Sequence, residues 1–170
     1  DFAMSKIAAN TEYGGNTLRK AIDYFSHLAI EPDWYGEMVK DTIFVKTPYF
    51  NKLKWLKDDR ETIFDPDYND ILRIAFMYKF GRAKLKDLVN LLGGRDFETR
   101  EYKALIAEES FVKLSEGVID FMNQYTFANF ILGIKGAGFI SNKLINSQIT
   151  LDFAYTLYLL LNNYNAIEKS

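Results

Sequence analysis

The chain has 170 residues, with 21 basic and 23 acidic side chains, one His and no Cys. This length suits a single domain and is enough to bury a core without disulfides. The absence of Cys excludes a disulfide framework, a zinc ribbon, an iron–sulfur cluster and a thiol nucleophile, and one His cannot supply a multi-His metal site or a His-Asn-His nuclease core. A net charge of −2 argues against a strongly basic nucleic-acid binder, although a local basic patch remains compatible with it.

The two ends of the sequence carry little targeting information. The start lacks the basic region and apolar stretch of a signal peptide, and no apolar run approaches the ~20 residues that span a bilayer. We therefore expect a cytoplasmic protein with no membrane contact. Because the first residue is Asp and helix-like sequence begins at once, we also expect a fragment of a longer protein.

Apolar residues recur at helical spacing along almost the whole chain, whereas strand-like alternation is nearly absent. Gly, Pro and capping residues mark the expected starts and stops. In the first half the pattern predicts helices at 2–9 and 17–30, a short piece at 33–39, a brief extended segment at 43–45, and a helix opened by Thr47 and Pro48.

The second half continues in the same way. The predicted helices are 67–80 (opened by Asp65 and Pro66), 84–92, a longest helix at 98–125 capped by Asp96, a short helix from Thr126 to residue 134, a turn capped by Ser141, and a last helix at 147–163. The sequence thus predicts an all-α fold of about eight or nine helices, forming one domain over 1–170.

The last helix is apolar almost all round, and only Lys135, Lys143 and Asp152 carry charge between residues 126 and 161. A helix without a polar face is normally buried, so we expect it to be the central helix of the domain. The alternative is that part of it docks a neighbouring domain or a second copy. Five aromatic residues are expected on buried faces: Phe25, Phe50, Tyr68, Tyr102 and Phe153.

The densest basic run, with two further Arg shortly after it, is the candidate DNA contact. If the helices at 67–92 form a hairpin, several of these cations gather near its turn, where they could follow a phosphate backbone. The simpler alternative is charge on the outer faces of two helices. The candidate DNA-binding residues are Lys79, Arg82, Lys84, Lys86, Arg95 and Arg100.

Three other positions in the sequence carry residues suited to binding or catalysis. The loop at 93–101 precedes a predicted helix and could hold an anion, but it lacks the spacing of a phosphate loop, and a helix stop with local ion pairs also explains it. His27 lies on a predicted solvated face with Asp23 and Glu31, which favours a weak surface pair over a metal ligand. Glu109 lies near the apolar stripe of its helix and is expected to be a buried acid with a structural partner. No catalytic centre, metal site or cofactor site can be assembled from these residues.

Several segments together resemble a known family. They are residues 16–29 (NTLRKAIDYFSHLA), 94–102 (GRDFETREY), 107–111 (AEESF), 139–148 (FISNKLINSQ) and 151–158 (LDFAYTLY). They are similar to the helical region that follows the ParB-like nuclease domain in bacterial proteins related to the Gmr type of modification-dependent (type IV) restriction enzymes.

This resemblance implies the α-helical accessory domain of a restriction-like DNA-defence protein. The expected partner is an adjacent nuclease-like domain of the same parent chain, and DNA is a further candidate partner. The parent would be a nucleotide-dependent endonuclease. The family's Asp-Gly-Gln-Gln-Arg motif belongs to the preceding domain and is absent here, so no family catalytic residue can be placed on this sequence. Two alternatives remain: a structural or homo-oligomerising module, and a small-molecule-binding helical domain with a polar pocket near Glu109 or His27.

Overall fold

A computed structural model describes Tyr24, Phe50, Asn51, Trp55 and the ranges 35–47, 63–145 and 147–168. Within these residues the chain forms six α-helices and no β-strand, which confirms the all-α class but not the expected eight or nine helices. The predicted helices at 2–9 and 17–30 lie outside the described residues, apart from Tyr24. The helices are α1 (Tyr35–Lys40), α2 (Tyr68–Phe80), α3 (Leu85–Leu92), α4 (Ala104–Phe121), α5 (Gln124–Gly136) and α6 (Gln148–Glu168), with 3-10 turns at Phe44–Lys46 and Asn142–Leu144. None of these helices is both long and apolar enough to cross a bilayer.

The extended segment expected at 43–45 is wrong, because the chain there makes a 3-10 turn. Asp41 explains the difference. One of its carboxylate oxygens accepts backbone N–H bonds from Ile43 and Phe44, both at 3.1 Å, and this local acceptor stabilises a turn rather than a strand. The turn places the Phe44 ring inside the core.

Two helices begin at a different capping residue from the one that the sequence predicts. Asp67, not Asp65, caps α2: its side chain accepts the N–H of Asp70, and the Asp70 carboxylate accepts the N–H of Asp67 in return. Asn123, not Thr126, caps α5 by accepting the Thr126 N–H. The turn expected at Ser141 is confirmed, because the Ser141 hydroxyl accepts the N–H of Lys143.

The helix expected at 98–125 is shorter than predicted, and α6 is the longest described helix instead. Asp96 does cap, but it caps a tight turn: its carboxylate accepts the N–H groups of Glu98 and Thr99, and the chain then folds back before α4 begins at Ala104. The α4 helix ends at Phe121 because its last turn gives way to the Asn123 cap of the next helix.

The close crossing of α2 and α4 forms the centre of the described fold. A Cβ atom added to Gly117 of α4 would lie 2.9 Å from the Ala75 carbonyl oxygen and 3.1 Å from the Ala75 Cβ of α2. Real Cβ atoms do not approach a carbonyl oxygen so closely, so only glycine allows this approach. Buried side chains of both helices then fill the space on either side, among them Leu72, Phe76 and Leu114.

A cluster of aromatic rings joins α6 to α4 and α5. The fully buried Tyr155 ring lies 5.3 Å from Phe121, 5.5 Å from Phe127 and 4.8 Å from Phe130, measured between ring centroids. Its hydroxyl donates to the Phe121 carbonyl oxygen at 3.1 Å, so the buried polar atom has a partner. Burial raises the pKa of Tyr155, and the hydroxyl therefore stays protonated.

The expectation that α6 is buried on every side is wrong. One face of the helix packs inward through Leu151, Tyr155 and Leu159, whereas its opposite face exposes large apolar side chains. Within the described residues α6 packs mainly against α2 and only slightly against α5, so neighbours cover it on one side. Two of the aromatic residues expected to be buried are also exposed, Phe153 by 55% and Tyr102 by 70%. The exposed apolar residues of α6 are Ile149, Phe153, Leu157, Leu160, Leu161 and Tyr164.

A buried ionic cluster links α2 to α6. One guanidinium nitrogen of Arg73, Nη1, donates to Asp70 at 3.0 Å and to Asp152 at 2.8 Å, and the amide of Gln148 donates to Asp70 at 3.2 Å. Asp152 is fully buried, and its second carboxylate oxygen has no hydrogen-bond partner. Two carboxylates thus share a single cation, an arrangement that favours keeping one proton.

The α2–α4 crossing gives a direct test of packing. We expect Gly117→Ala to lower the free energy of unfolding by about 1–3 kcal/mol, because the new methyl meets backbone that cannot rotate away. Gly133→Ala in α5 is the matched control, since a Cβ there has no atom within 4 Å, and we expect it to raise stability by up to about 1 kcal/mol. Denaturant unfolding measures both, and equal effects of the two substitutions would contradict the close crossing.

The buried carboxylates predict a pH dependence of stability. Desolvation and the neighbouring Asp70 raise the pKa of Asp152 to about 7, so the folded state binds a proton that the unfolded state has released. Since only the unfolded state has lost this proton between about pH 4 and pH 7, the free energy of unfolding falls as the pH rises through this range. The side chain introduced by Asp152→Asn cannot ionise. We therefore expect the free energy of unfolding of Asp152→Asn, measured by denaturant unfolding, to rise relative to that of the natural chain as the pH increases across this range. A difference that stays constant with pH would contradict the shared proton.

Candidate functional site

The candidate site begins where α2 ends. Gly81 adopts a left-handed conformation with φ of 66°, and its N–H donates to the Met77 carbonyl oxygen, which stops the helix. Three residues separate Gly81 from the start of α3 at Leu85, and the buried residues Leu88 and Leu92 of α3 face the core. The helix α3 packs chiefly against α4. The two helices of the predicted 67–92 hairpin, α2 and α3, therefore both pack against α4.

A ten-residue loop at 94–103, here called the clasp, follows α3. Gly94 has φ of 83°, its N–H donates to Leu91, and the Arg95 N–H donates to Asn90, which is the Schellman pattern of a helix end. The Lys103 N–H then donates to the Gly94 carbonyl oxygen at 2.8 Å and closes the loop. A Cβ at Gly94 would lie 2.9 Å from the Lys103 carbonyl oxygen, so glycine is required at the closure.

Asp96 organises the tip of the clasp. Backbone N–H groups of Thr99 and Glu98 donate to its carboxylate at 2.7 and 2.8 Å, and these bonds lower the pKa of Asp96 below its ordinary value. Its own N–H donates to the Glu101 carbonyl oxygen at 2.9 Å. Arg100 completes the turn with φ of 60°, the one positive value for a non-glycine residue among those described. The clasp is therefore a defined turn that fixes the backbone positions of Arg95 and Arg100.

A cleft of about 340 Å³ lies between α3, the preceding linker and the clasp. Four of its lining side chains are cationic and two are acidic, so the lining has an excess of two positive charges. This is a local field of opposite sign to the net charge of the chain. The cleft, here called the basic cleft, is lined by Arg82, Lys86, Asp87, Asn90, Arg95, Asp96, Phe97 and Arg100.

Four of the six candidate DNA-binding residues thus come together in the basic cleft: Arg82, Lys86, Arg95 and Arg100. Lys79 is placed elsewhere, with its ammonium 3.0 Å from Asp120 and 3.6 Å from Glu116 on α4. The exposed Lys84 precedes α3 and does not line the cleft. The structure therefore divides the predicted set into a converging group and two outlying lysines.

The charges of the basic cleft are only partly neutralised from within. The Arg82 guanidinium stacks on the Phe97 ring, 4.2 Å from its centroid, and lies 3.6 Å from the Asp87 carboxylate, which is beyond hydrogen-bond distance. Among the described residues no salt bridge involves Lys86, Arg95 or Arg100. Guanidinium groups present paired N–H donors that match phosphate and carboxylate oxygens. The arrangement is suited to binding an anion.

The other predicted chemical positions are not brought into this cleft. His27 lies outside the described residues, and Glu109 is exposed on α4, so the expectation of a buried acid there is wrong. The side chain of Glu109 points away from the core because the buried face of α4 runs through Ser110, Leu114 and Gly117. In the described part of the chain, no group of three or more His, Cys, Asp or Glu side chains could hold a metal ion.

Asn90 lines the cleft without any signal in the sequence, whereas Phe97 belongs to the loop predicted as a possible anion site. The sequence predicts at 93–101 a loop that could hold an anion and that leads directly into a helix. The clasp instead folds back onto α3, and this return brings its Arg residues beside Arg82 and Lys86. No family model matches the chain, and no curated protein or solved structure is significantly similar to it.

Proposed function

We propose that the chain is a non-catalytic α-helical accessory domain of a restriction-like DNA-defence protein, which positions a nuclease-like domain and contacts DNA phosphates through the basic cleft. The observation that supports the DNA contact is the convergence of Arg82, Lys86, Arg95 and Arg100 on one concave surface. Lys and Arg side chains at such a surface neutralise phosphates and release the counterions that surround DNA. The link to DNA defence comes from the sequence resemblance alone.

The apolar face of α6 supports the positioning role. Phe153, Leu157, Leu160 and Leu161 are exposed by 43–59%, and they lie on one side of a single helix. Exposed apolar patches of this kind mark surfaces that another protein domain covers. In this proposal the adjacent nuclease-like domain of the parent chain covers it, while the basic cleft stays accessible.

A structural or homo-oligomerising module is the second candidate function, and the same apolar face favours it. Sedimentation of the chain over a concentration series separates the two. We expect a monomer if the face belongs to a neighbouring domain. A dimer that dissociates in Leu157→Glu, a substitution on the exposed face, would favour the oligomerising module instead.

The DNA contact predicts a salt-dependent affinity. We expect the chain to bind oligonucleotide DNA with log K falling against log salt at a slope between about −2 and −4, because up to four phosphates are neutralised. The double substitution Lys86→Gln with Arg95→Gln removes two cleft cations, and we expect a shallower slope by about 1–2 together with weaker binding. Fluorescence anisotropy at several salt concentrations measures both quantities.

Lys84→Gln is the matched control, because it removes one positive charge beside the cleft without altering the lining. We expect its slope to stay close to that of the natural chain. Absent binding, or binding that does not change with salt, would contradict the DNA contact. Lys86→Gln alone removes the same charge from the lining, and an effect of Lys84→Gln equal to that of Lys86→Gln would contradict the assignment of the contact to the cleft.

A further inference from the structure

An exposed aromatic ring stands at the edge of the basic cleft. Tyr102 lies opposite Arg95 in the isolated antiparallel bridge of the clasp, and directly opposed residues of such a pair project to the same face. The Arg95 guanidinium carbon is 5.9 Å from the Tyr102 ring centroid. Arg95 lines the cleft and lies over one face of the Tyr102 ring, and since Tyr102 is 70% exposed, most of its remaining surface is open to solvent beside this cation.

Phe97, the aromatic residue inside the cleft, is used differently. Its ring is half-buried, packs against the core and carries the Arg82 guanidinium 4.2 Å from its centroid. A planar ligand therefore finds one face of Phe97 already covered. The clasp thus presents two aromatic residues with distinct roles: Phe97 supports Arg82, and Tyr102 is open to stacking.

The shape of the site discriminates between forms of nucleic acid. Duplex grooves accept protruding elements such as an α-helix or a β-ribbon, whereas this site is a concavity of about 340 Å³. Asp87 and Asp96 also lie in the lining, and they oppose the dense charge of a duplex more than the lower charge density of one strand. A flexible single strand can place a phosphate in the cleft and turn a base outward.

We propose that the basic cleft and Tyr102 together form a binding site for single-stranded DNA, in which the cleft cations hold phosphates and a base stacks on the Tyr102 ring. Proteins that bind single strands combine a positive groove with aromatic stacking surfaces in this way. The inference rests on the proposed DNA contact and narrows it to one form of DNA.

The experiment compares a fluorescent oligothymidylate of about 15 nucleotides with a duplex of equal length, using anisotropy at low salt and the whole 170-residue chain. We expect the single strand to bind more tightly. We expect Tyr102→Leu to weaken single-strand binding about 10-fold while duplex binding stays unchanged, and Tyr102→Phe to retain it. Tyr125→Leu is the control, because Tyr125 is 77% exposed at the start of α5 and does not line the cleft.

Circular dichroism of each variant verifies that the helical fold is kept. A duplex that binds as tightly as the single strand, or a Tyr102→Leu substitution without effect, would overturn the single-strand inference and leave the phosphate contact standing. Equal losses in Tyr102→Leu and Tyr125→Leu would also overturn it. If neither form of DNA binds, both this inference and the proposed DNA contact fail.

Discussion

The contact between Gly117 and Ala75 is the constraint on which the remaining geometry depends. It lets α2 and α4 approach so closely that the end of α2 meets the middle of α4, where the Lys113 ammonium lies 4.6 Å from the Phe80 ring centroid. The two helices therefore run in opposite directions. The linker after α2 and the clasp before α4 consequently lie at the same end of the pair, and this places Arg82 on Phe97.

The far end of α4 fixes the other half of the described fold. The indole nitrogen of Trp55 donates to the Met122 carbonyl oxygen at 3.0 Å, and the Tyr155 hydroxyl donates to the Phe121 carbonyl oxygen. Carbonyl groups at a helix end have no partner inside the helix, so side chains from distant parts of the sequence satisfy them. One helix thus organises the basic cleft at its start and the aromatic cluster at its end.

Within the described residues the sequence indicates the class of fold and the approximate positions of the helices, because 3.6-residue periodicity and glycine stops are local signals. Capping residues are harder to assign: Asp65, Asp67 and Asp96 all suit a helix start, and the choice depends on reciprocal bonds such as that between Asp67 and Asp70. The exposure of Phe153 is also not a local property. Apolar composition shows that a helix has several possible buried faces, but only the arrangement of neighbours decides which one is covered.

The candidate site could be predicted only in part from the sequence, because some of its features are local and others depend on the fold. The cluster of Lys and Arg after α2 is visible in the residues, whereas the return of the clasp onto α3 depends on Gly94 and on the bonds of Asp96. One cleft is therefore lined by four cations separated by up to 18 positions of the sequence, Arg82, Lys86, Arg95 and Arg100, although no sequence motif predicts that they come together.

The exposed apolar face of α6 has a thermodynamic consequence. This helix buries the carboxyl group of Asp152 and leaves apolar side chains such as Leu157 and Leu160 in contact with water in the folded chain. The heat-capacity change on unfolding grows with newly hydrated apolar area and falls with newly hydrated polar area. Melting of α6 therefore contributes less to that heat capacity than its apolar sequence suggests, because only the inward-packing face with Tyr155 is newly hydrated. The stability curve of the chain on its own is accordingly flatter with temperature than its composition suggests.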